Sequence, residues 1–360
     1  MDWRFRFSKS DLSDTVFLHQ SGVNPSAGCR FVIIPPVESR RGEVFVNRRV
    51  RHQELYAPHG RELRSGTWAA YSRLIRRQGT RAVMKTIADL IEDRFGLPVD
   101  AGRDMPAEGD LAHILSHRSH RRYKPDPVPD DLLEVLLAAA FSAPAKSDLQ
   151  QSGVLIVRDA EKRRKIEALM PAMPWIADAP VFMVFLADNR RIRKVSELRG
   201  KPFANDHLDS VLNAAVDAGL VLMNFIRAAE STGLGCCPIS VVRNHIEVVS
   251  ELLELPDHVF PICGFCLGWP AGEGHISLRL PPSVFVHTDR YDDSRLEQEV
   301  AAYDARRSAR FQIPDEKQRS VDEYGLAQEY GWSEDKARQV SKPERKQLAK
   351  YLKGKGFNLE

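Results

Sequence analysis

Residues 252–287 read LLELPDHVFPICGFCLGWPAGEGHISLRLPPSVFVH. Their centre, PICGFCLGWP (261–270), is a nearly unbroken apolar run of strand length that ends in a Gly/Pro turn. Such a run is expected to form a strand buried on both faces. Two upstream runs have the same character, GVLIVRD (153–159) and APVFMVFLAD (179–188). Between the second of these and the central run, LDSVLNAAVDAGLVLMNFIRAAESTGLG (208–235) has the pattern of one long helix. Its polar residues Ser210, Asn213, Asp217, Asn224, Arg227 and Ser231 fall on one narrow stripe, and most of the remainder is apolar or small. A helix so apolar is expected to pack on several sides, with a subunit interface as a natural place for it.

Working outward, LAHILSHR (111–118) reads as a short helix and KPDPVPD (124–130) as an extended segment, because its three prolines forbid helix. A helix start follows, with Asp131 expected to cap and Glu134 three residues on, ahead of LLEVLLAAAF (132–141). Residues 1–108 are expected to be an N-terminal extension: strands at 31–34 and 42–47 split by Pro35 and Pro36, two basic amphipathic helices within 66–96, and a Pro/Gly/Asp-rich linker at 98–110. The central domain is expected to run from 109 to 292. The charged tail, 293–360, is helical by pattern and is expected to wrap the core or a partner subunit.

Composition narrows the function classes. Of 360 residues 43 % are apolar and 28 % charged, with a net charge of only +3. Cations are spread along the chain, so nucleic acid is not an expected partner, while small anionic ligands stay open. No apolar run reaches about 18 residues and the first thirty lack an h-region, so no membrane span and no secretory signal are expected. Five cysteines (Cys29, Cys236, Cys237, Cys263, Cys266) are too few for a disulfide framework. These points favour a cytoplasmic protein with reduced thiols. Cys263 and Cys266 form a C-x-x-C, but on a strand positions i and i+3 face opposite ways. No metal site is expected.

Three segments together resemble the nitroreductase superfamily. HRSHR (117–121) is similar to the family's H-R-S-x-R phosphate-binding signature, and the loop Ser142–Gln150 to its S-x-L-Q pattern. The stretch 252–287 is similar throughout to L-x-L-P-x-H-V-x-P-x-x-G-x-C-L-G-x-P…R-L-P…V-x-H, and is closest to the oxygen-insensitive NADPH nitroreductase and flavin reductase group. The resemblance covers about 110 to 355. It implies an α+β fold, with a mixed, mostly antiparallel sheet flanked by helices, in an intertwined homodimer with FMN at the interface.

The residues suit that role. A phosphate dianion needs charge-assisted bonds from arginine and neutral donors such as serine. By themselves Arg118, Ser119 and Arg121 read better as a solvated basic turn. The resemblance adds Arg279, from R-L-P, to the same phosphate and reverses that preference, with His117 opening the motif. It places Lys146, Ser147 and Gln150 along the ribityl chain and the flavin's polar edge. In STGLGCCPISVVRNHIEVV (231–249) it places Ile239, Ser240 and Val241 near flavin N5 and O4. Two departures stand out: Ser240-Val241 replaces Gly-Gly, and Ser277 replaces a lysine that stabilises anionic reduced flavin. No side chain is expected to act as nucleophile or dedicated acid.

The implied activity is hydride transfer from NADPH or NADH, through FMN, to an electron-poor acceptor such as a nitroaromatic, a quinone or free flavin. Arg306, Arg307 and Arg310 form the basic stretch open to a 2′-phosphate. Two alternatives stay open: an FMN-dependent dehydrogenase or oxidase specialised for one metabolite or peptide, and a non-catalytic flavin-binding sensor.

Overall fold

The computed structural model describes residues 85–360 and two short strands, β1 (Val16–Phe17) and β2 (Ile33–Ile34), which pair antiparallel. The strand expected at 42–47 and the first of the two basic helices lie outside the described residues. The chain forms two compact units, Met1–Ala82 and Val83–Glu360. Residues 83–108 thus fall in the second unit, together with the expected central domain.

The reason is visible in α1 (Ile87–Phe95). Thr86 and Asp89 form a capping box, and Gly96, at φ 67°, closes the other end. The segment expected to be a linker folds back on this helix. The first-turn donors Ile87 N and Ala88 N, which a helix cannot satisfy itself, reach Met105 O and Gly102 O at 2.8 and 3.3 Å. Ala107 N donates to Lys85 O at 2.9 Å. Helix α2 (Gly109–Ser116) packs against α1.

The next helix, α3 (Asp130–Phe141), starts after Pro129, and no side chain caps it. Asp131 sits inside the first turn, where its carboxylate meets Leu132 N, so the expected cap is displaced. Chain order then gives β3 (Ser152–Ile156), α4 (Ala160–Ala168), α5 (Trp175–Asp178), β4 (Val181–Asp188), α6 (Arg190–Leu198), α7 (Leu208–Ser231), β5 (Gly235–Ile239), α8 (Ile246–Leu252) and β6 (Val259–Gly268). The C-terminal part adds α9 (Leu296–Arg310), α10 (Val321–Tyr324), α11 (Trp332–Val340) and α12 (Leu348–Gly354).

The four strands order as β3-β4-β6-β5, and every neighbouring pair is antiparallel. Among the described residues the parallel contact is an isolated bridge, Ser119 to Cys236. The fold is the expected α+β sheet between helices. Strand β4 explains the layering. Phe182, Val184 and Leu186 face a cluster with Ile166, Ile176 and Val249, while Met183 and Phe185 face Leu136, Phe225 and Phe265. Rings 185, 225 and 265 meet edge-on, with centroids 5.3–5.6 Å apart. Cys263 pairs in register with Phe185 and Cys266 with Phe182, so the two thiols lie on opposite faces.

Helix α7 is packed, and part of its polar stripe is turned away from water. Ser210 and Asp217 are buried, whereas Leu208, Leu212, Val216, Leu220 and Met223 form an exposed apolar stripe at spacings of one helical turn. The tail's α12 docks on this unit: Tyr351, Leu352 and Phe357 pack with Val211, Ala214 and Phe260. The Tyr351 hydroxyl lies 2.7 Å from Ser250 Oγ.

Candidate functional site

The chain leaves α2 in extended form, so successive side chains of 117–121 alternate in direction. Arg118 and His120 share one side, next to Gly274. Arg118 donates to Ser116 O and Glu273 O, both at 3.1 Å. Among the described residues the Arg279 side chain reaches only the carbonyl of Leu278, at 3.2 Å. A third guanidinium, Arg94 of α1, completes the group. Burial, then the nearby charges of Arg279 and Arg118, push its pKa down to about 10. Glu230 opposes that effect, and its carboxylate receives His117 Nδ1 at 2.6 Å. Arg94 is thus hydrogen-bonded to the backbone beside both Arg118 and Arg279, and among the described residues the side-chain donors of all three go to carbonyls. Such a cluster has unspent positive charge and fits an anion.

Ser119 and Arg121 take the other side. Ser119 bridges Cys236 on β5, and the neighbouring His120 N donates to Cys236 O at 2.9 Å. The Arg121 guanidinium lies 5.5 Å above the Trp175 ring. Arg121 is therefore not gathered with Arg118 and Arg279: three residues of extended backbone turn it to the opposite face. Its side is that of Trp175 and Val241, which pack on the same apolar cluster.

The loop before β3 is held in an unusual shape. Ser147, Asp148 and Gln150 have φ of 50°, 57° and 52°, in the left-handed region. What holds it is Asp217, buried in the middle of α7. Its two carboxylate oxygens accept Lys146 N and Gln151 N, each at 3.0 Å. The side chains of Lys146, Ser147 and Gln150 are left exposed.

At the far edge, β5 ends at Ile239 and a 3₁₀ turn, Ser240–His245, follows. Val242 seats this turn on the sheet over Gly264, where a Cβ would come within 2.8 Å of Val242 Cγ1. Ser240 is exposed and Val241 half-buried. The tail reaches the turn: Arg345 donates to Asn244 Oδ1 at 2.8 Å and to Ser240 Oγ at 3.4 Å. Ser277 offers its carbonyl to Arg94 Nη1 at 2.9 Å.

The candidate residues thus split between the two edges of the sheet. The 145–150 loop precedes edge strand β3, whereas 117–121 and 239–241 flank edge strand β5. Three strand spacings of about 4.8 Å, roughly 14 Å, separate those edges.

Residues 114–269 match the nitroreductase family, and residues 277–360 match that family's C-terminal domain. Over 201 residues the chain is 39 % identical to the FMN reductase [NAD(P)H] of Bacillus subtilis, covering 55 % of this chain and 81 % of the relative. The chain belongs to the nitroreductase family. This nitroreductase is also 38 % identical to the oxygen-insensitive NADPH nitroreductase of Salmonella typhimurium, over 53 % of this chain and 78 % of that one. Among solved structures it is similar to the NADPH:FMN oxidoreductase of Vibrio harveyi complexed with NAD+, at 28 % identity and TM-score 0.60, covering 69 % of this chain and 97 % of that one.

Several residues of this nitroreductase's candidate site were not picked out from sequence. Asp217 carried a signal, as a carboxylate in the middle of an apolar helix. Glu230, Arg345 and Arg94 carried none, since each is an ordinary charged residue until the fold brings it to the site. The stretch Arg306, Arg307 and Arg310 is also changed by its surroundings. Arg306 and Arg310 line a groove of about 660 Å³ together with Lys85, Asp89, Glu92 and Asp93 of the α1 region. Arg310 Nη1 donates to Asp93 O at 2.9 Å. Arg310 is also paired with the Asp93 carboxylate at 3.7 Å, whereas Arg306 Nε and Nη2 are buried with no hydrogen-bond partner among the described residues.

Proposed function

We propose that this nitroreductase binds FMN and carries a hydride from NAD(P)H to an electron-poor small molecule. The observation that carries the reading is that Arg94 ties the backbone before Arg118 to the backbone before Arg279, which brings together three guanidiniums with carbonyl partners alone among the described residues. Their chemistry suits a phosphate dianion, and the family relatives named for FMN support the choice. Arg118 and Arg279 hold the phosphate in this reading. Arg121, on the Trp175 side, supplies positive charge at the ring end, where Ser277 cannot. When bound, the flavin supplies the N5 atom that accepts and returns the hydride.

The remaining groups orient and exclude water. Ser240 and Val241 border the ring end, with Val241 narrowing access and Arg345 clamping the turn. A second copy of the chain brings its own 145–150 loop, with Lys146, Ser147 and Gln150, to the cation cluster. The exposed apolar stripe of α7 supports this homodimer: a stripe of five large apolar side chains calls for cover. For the nucleotide, Lys85, Arg306 and Arg310 in that groove are balanced by Asp89, Glu92 and Asp93, so the groove gives a 2′-phosphate no net attraction and both NADPH and NADH are expected to serve as donors.

The test is a stopped-flow record of flavin absorbance after anaerobic mixing with NADPH or NADH. Rapid bleaching is expected. A yellow protein that neither donor bleaches would sink the NAD(P)H reading and favour the specialised oxidase or the sensor. A protein that takes up no FMN overturns the flavin site itself.

A further inference from the structure

We infer that Arg94 is a positioning residue for the phosphate end of the flavin site, and that helix α1, which lies outside the family match, is therefore part of that site. The inference rests on the FMN reading above.

The phosphate segment begins in an unfavourable place. Arg118 and Ser119 follow directly on the C-terminus of α2. A helix C-terminus exposes orphan carbonyls and carries roughly half a negative charge, which repels a dianion. Arg94 answers this from the neighbouring helix. Its Nε and Nη2 donate to Leu115 O at 3.1 and 2.9 Å, and Nη2 also donates to His117 O. Its Nη1 donates to Ser277 O at 2.9 Å, and its own carbonyl accepts Arg279 N at 2.9 Å. One side chain thus joins the backbone just before Arg118 to the backbone just before Arg279. It also engages three carbonyl oxygens with a buried cation, which offsets part of their negative charge.

Arg94 is 6 % exposed, and four donor contacts are already committed to carbonyls. It acts through Arg118 and Arg279 rather than by touching the ligand. α1 is built to deliver it. The capping box and Gly96 fix the helix ends, and Ile87, Leu90 and Arg94 lie on one buried face at helical spacing.

The test uses the full-length chain stripped of flavin and titrated separately with FMN and riboflavin, which lacks the phosphate. Two variants are compared with wild type. R94M removes the charge at similar bulk, and R94K keeps a charge that cannot span three carbonyls. The expected result is that preference for FMN over riboflavin falls about tenfold or more in R94M and by less in R94K, the scale of a helix terminus plus a charge-assisted bond. Riboflavin affinity should stay within about twofold of wild type. Equal weakening toward both ligands would mean that Arg94 only holds the fold, and unchanged preference would mean that it does nothing for the phosphate. Either overturns the inference. A wild-type chain with no preference for FMN overturns the phosphate reading first, so the two failures are distinguishable. If R94M does not fold, R94K alone decides by the same ratio.

Discussion

Asp217 shows how one side chain can set a loop. Its carboxylate is buried and accepts two backbone N–H groups, those of Lys146 and Gln151. Removing it in D217A strands both donors, at about 1–3 kcal/mol for each buried group left unpaired. A lower thermal midpoint and faster proteolytic cutting within 142–151 are the expected outcome, with D217N in between because its amide keeps one acceptor oxygen. A variant as stable and as protease-resistant as wild type would show that the loop holds its shape without this anchor. His120 gives a pH signature. Burial first, and the charge of Arg118 second, hold its pKa below the ordinary value. The folded protein therefore takes up this proton less readily than the unfolded chain. As pH falls below about 6.5, the unfolded state is protonated first and stability drops. Urea midpoints measured from pH 7.5 down to 5 should fall, and H120Q should flatten part of that slope. An unaltered slope in H120Q would assign the effect to other groups, such as His258, whose pKa burial also lowers.

At the scale of the element, α7 explains most of the architecture. Its inner face supplies Phe225 to the core and Asp217 to the loop, and its outer face is apolar. The double change L212K/V216K places two charges on that outer stripe. Sedimentation velocity should then show monomer where wild type sediments as dimer, with FMN uptake lost alongside, since the proposed site needs a loop from each copy. A wild-type monomer that still binds FMN would refute the shared site. Strand β6 makes a similar point with one glycine. A Cβ at Gly264 would meet Val242 at 2.8 Å and the Phe182 ring at 3.1 Å. G264A is expected to cost about 1–3 kcal/mol by overpacking, read from the urea midpoint, and to shift the 240–245 turn. The hydrophobic patterning made these elements readable: strands at 153–159, 179–188 and 261–270 and the helix from 208 all stand within a few residues of their expected places. The Asp131 cap was misplaced because Pro129 pre-sets the entry to α3 and makes a side-chain cap unnecessary.

Across the whole molecule, the sheet keeps its thiols out of solvent. Cys236, Cys237, Cys263 and Cys266 are all buried, and burial raises the pKa of each, with Cys263 pushed up to about 11. Iodoacetamide at pH 8 should leave these four unlabelled in the native protein and label them in urea, as mass spectrometry of the peptides would show. Rapid native labelling of any of the four would contradict the packing. The family and the fold were decided by local order in the chain, because a buried strand ending in a Gly/Pro turn and the motif spacing around it are properties of sequence neighbours. What touches the site was decided only by tertiary structure. Alternation in an extended segment parted Arg121 from Arg118, and Arg94 came in from a helix that reads as an appendage. The 145–150 loop fell on the opposite sheet edge from the arginines it was grouped with. Periodicity reports which side of its own element a residue faces, whereas a site of charges depends on which elements meet, and that is fixed by the packing of the whole chain.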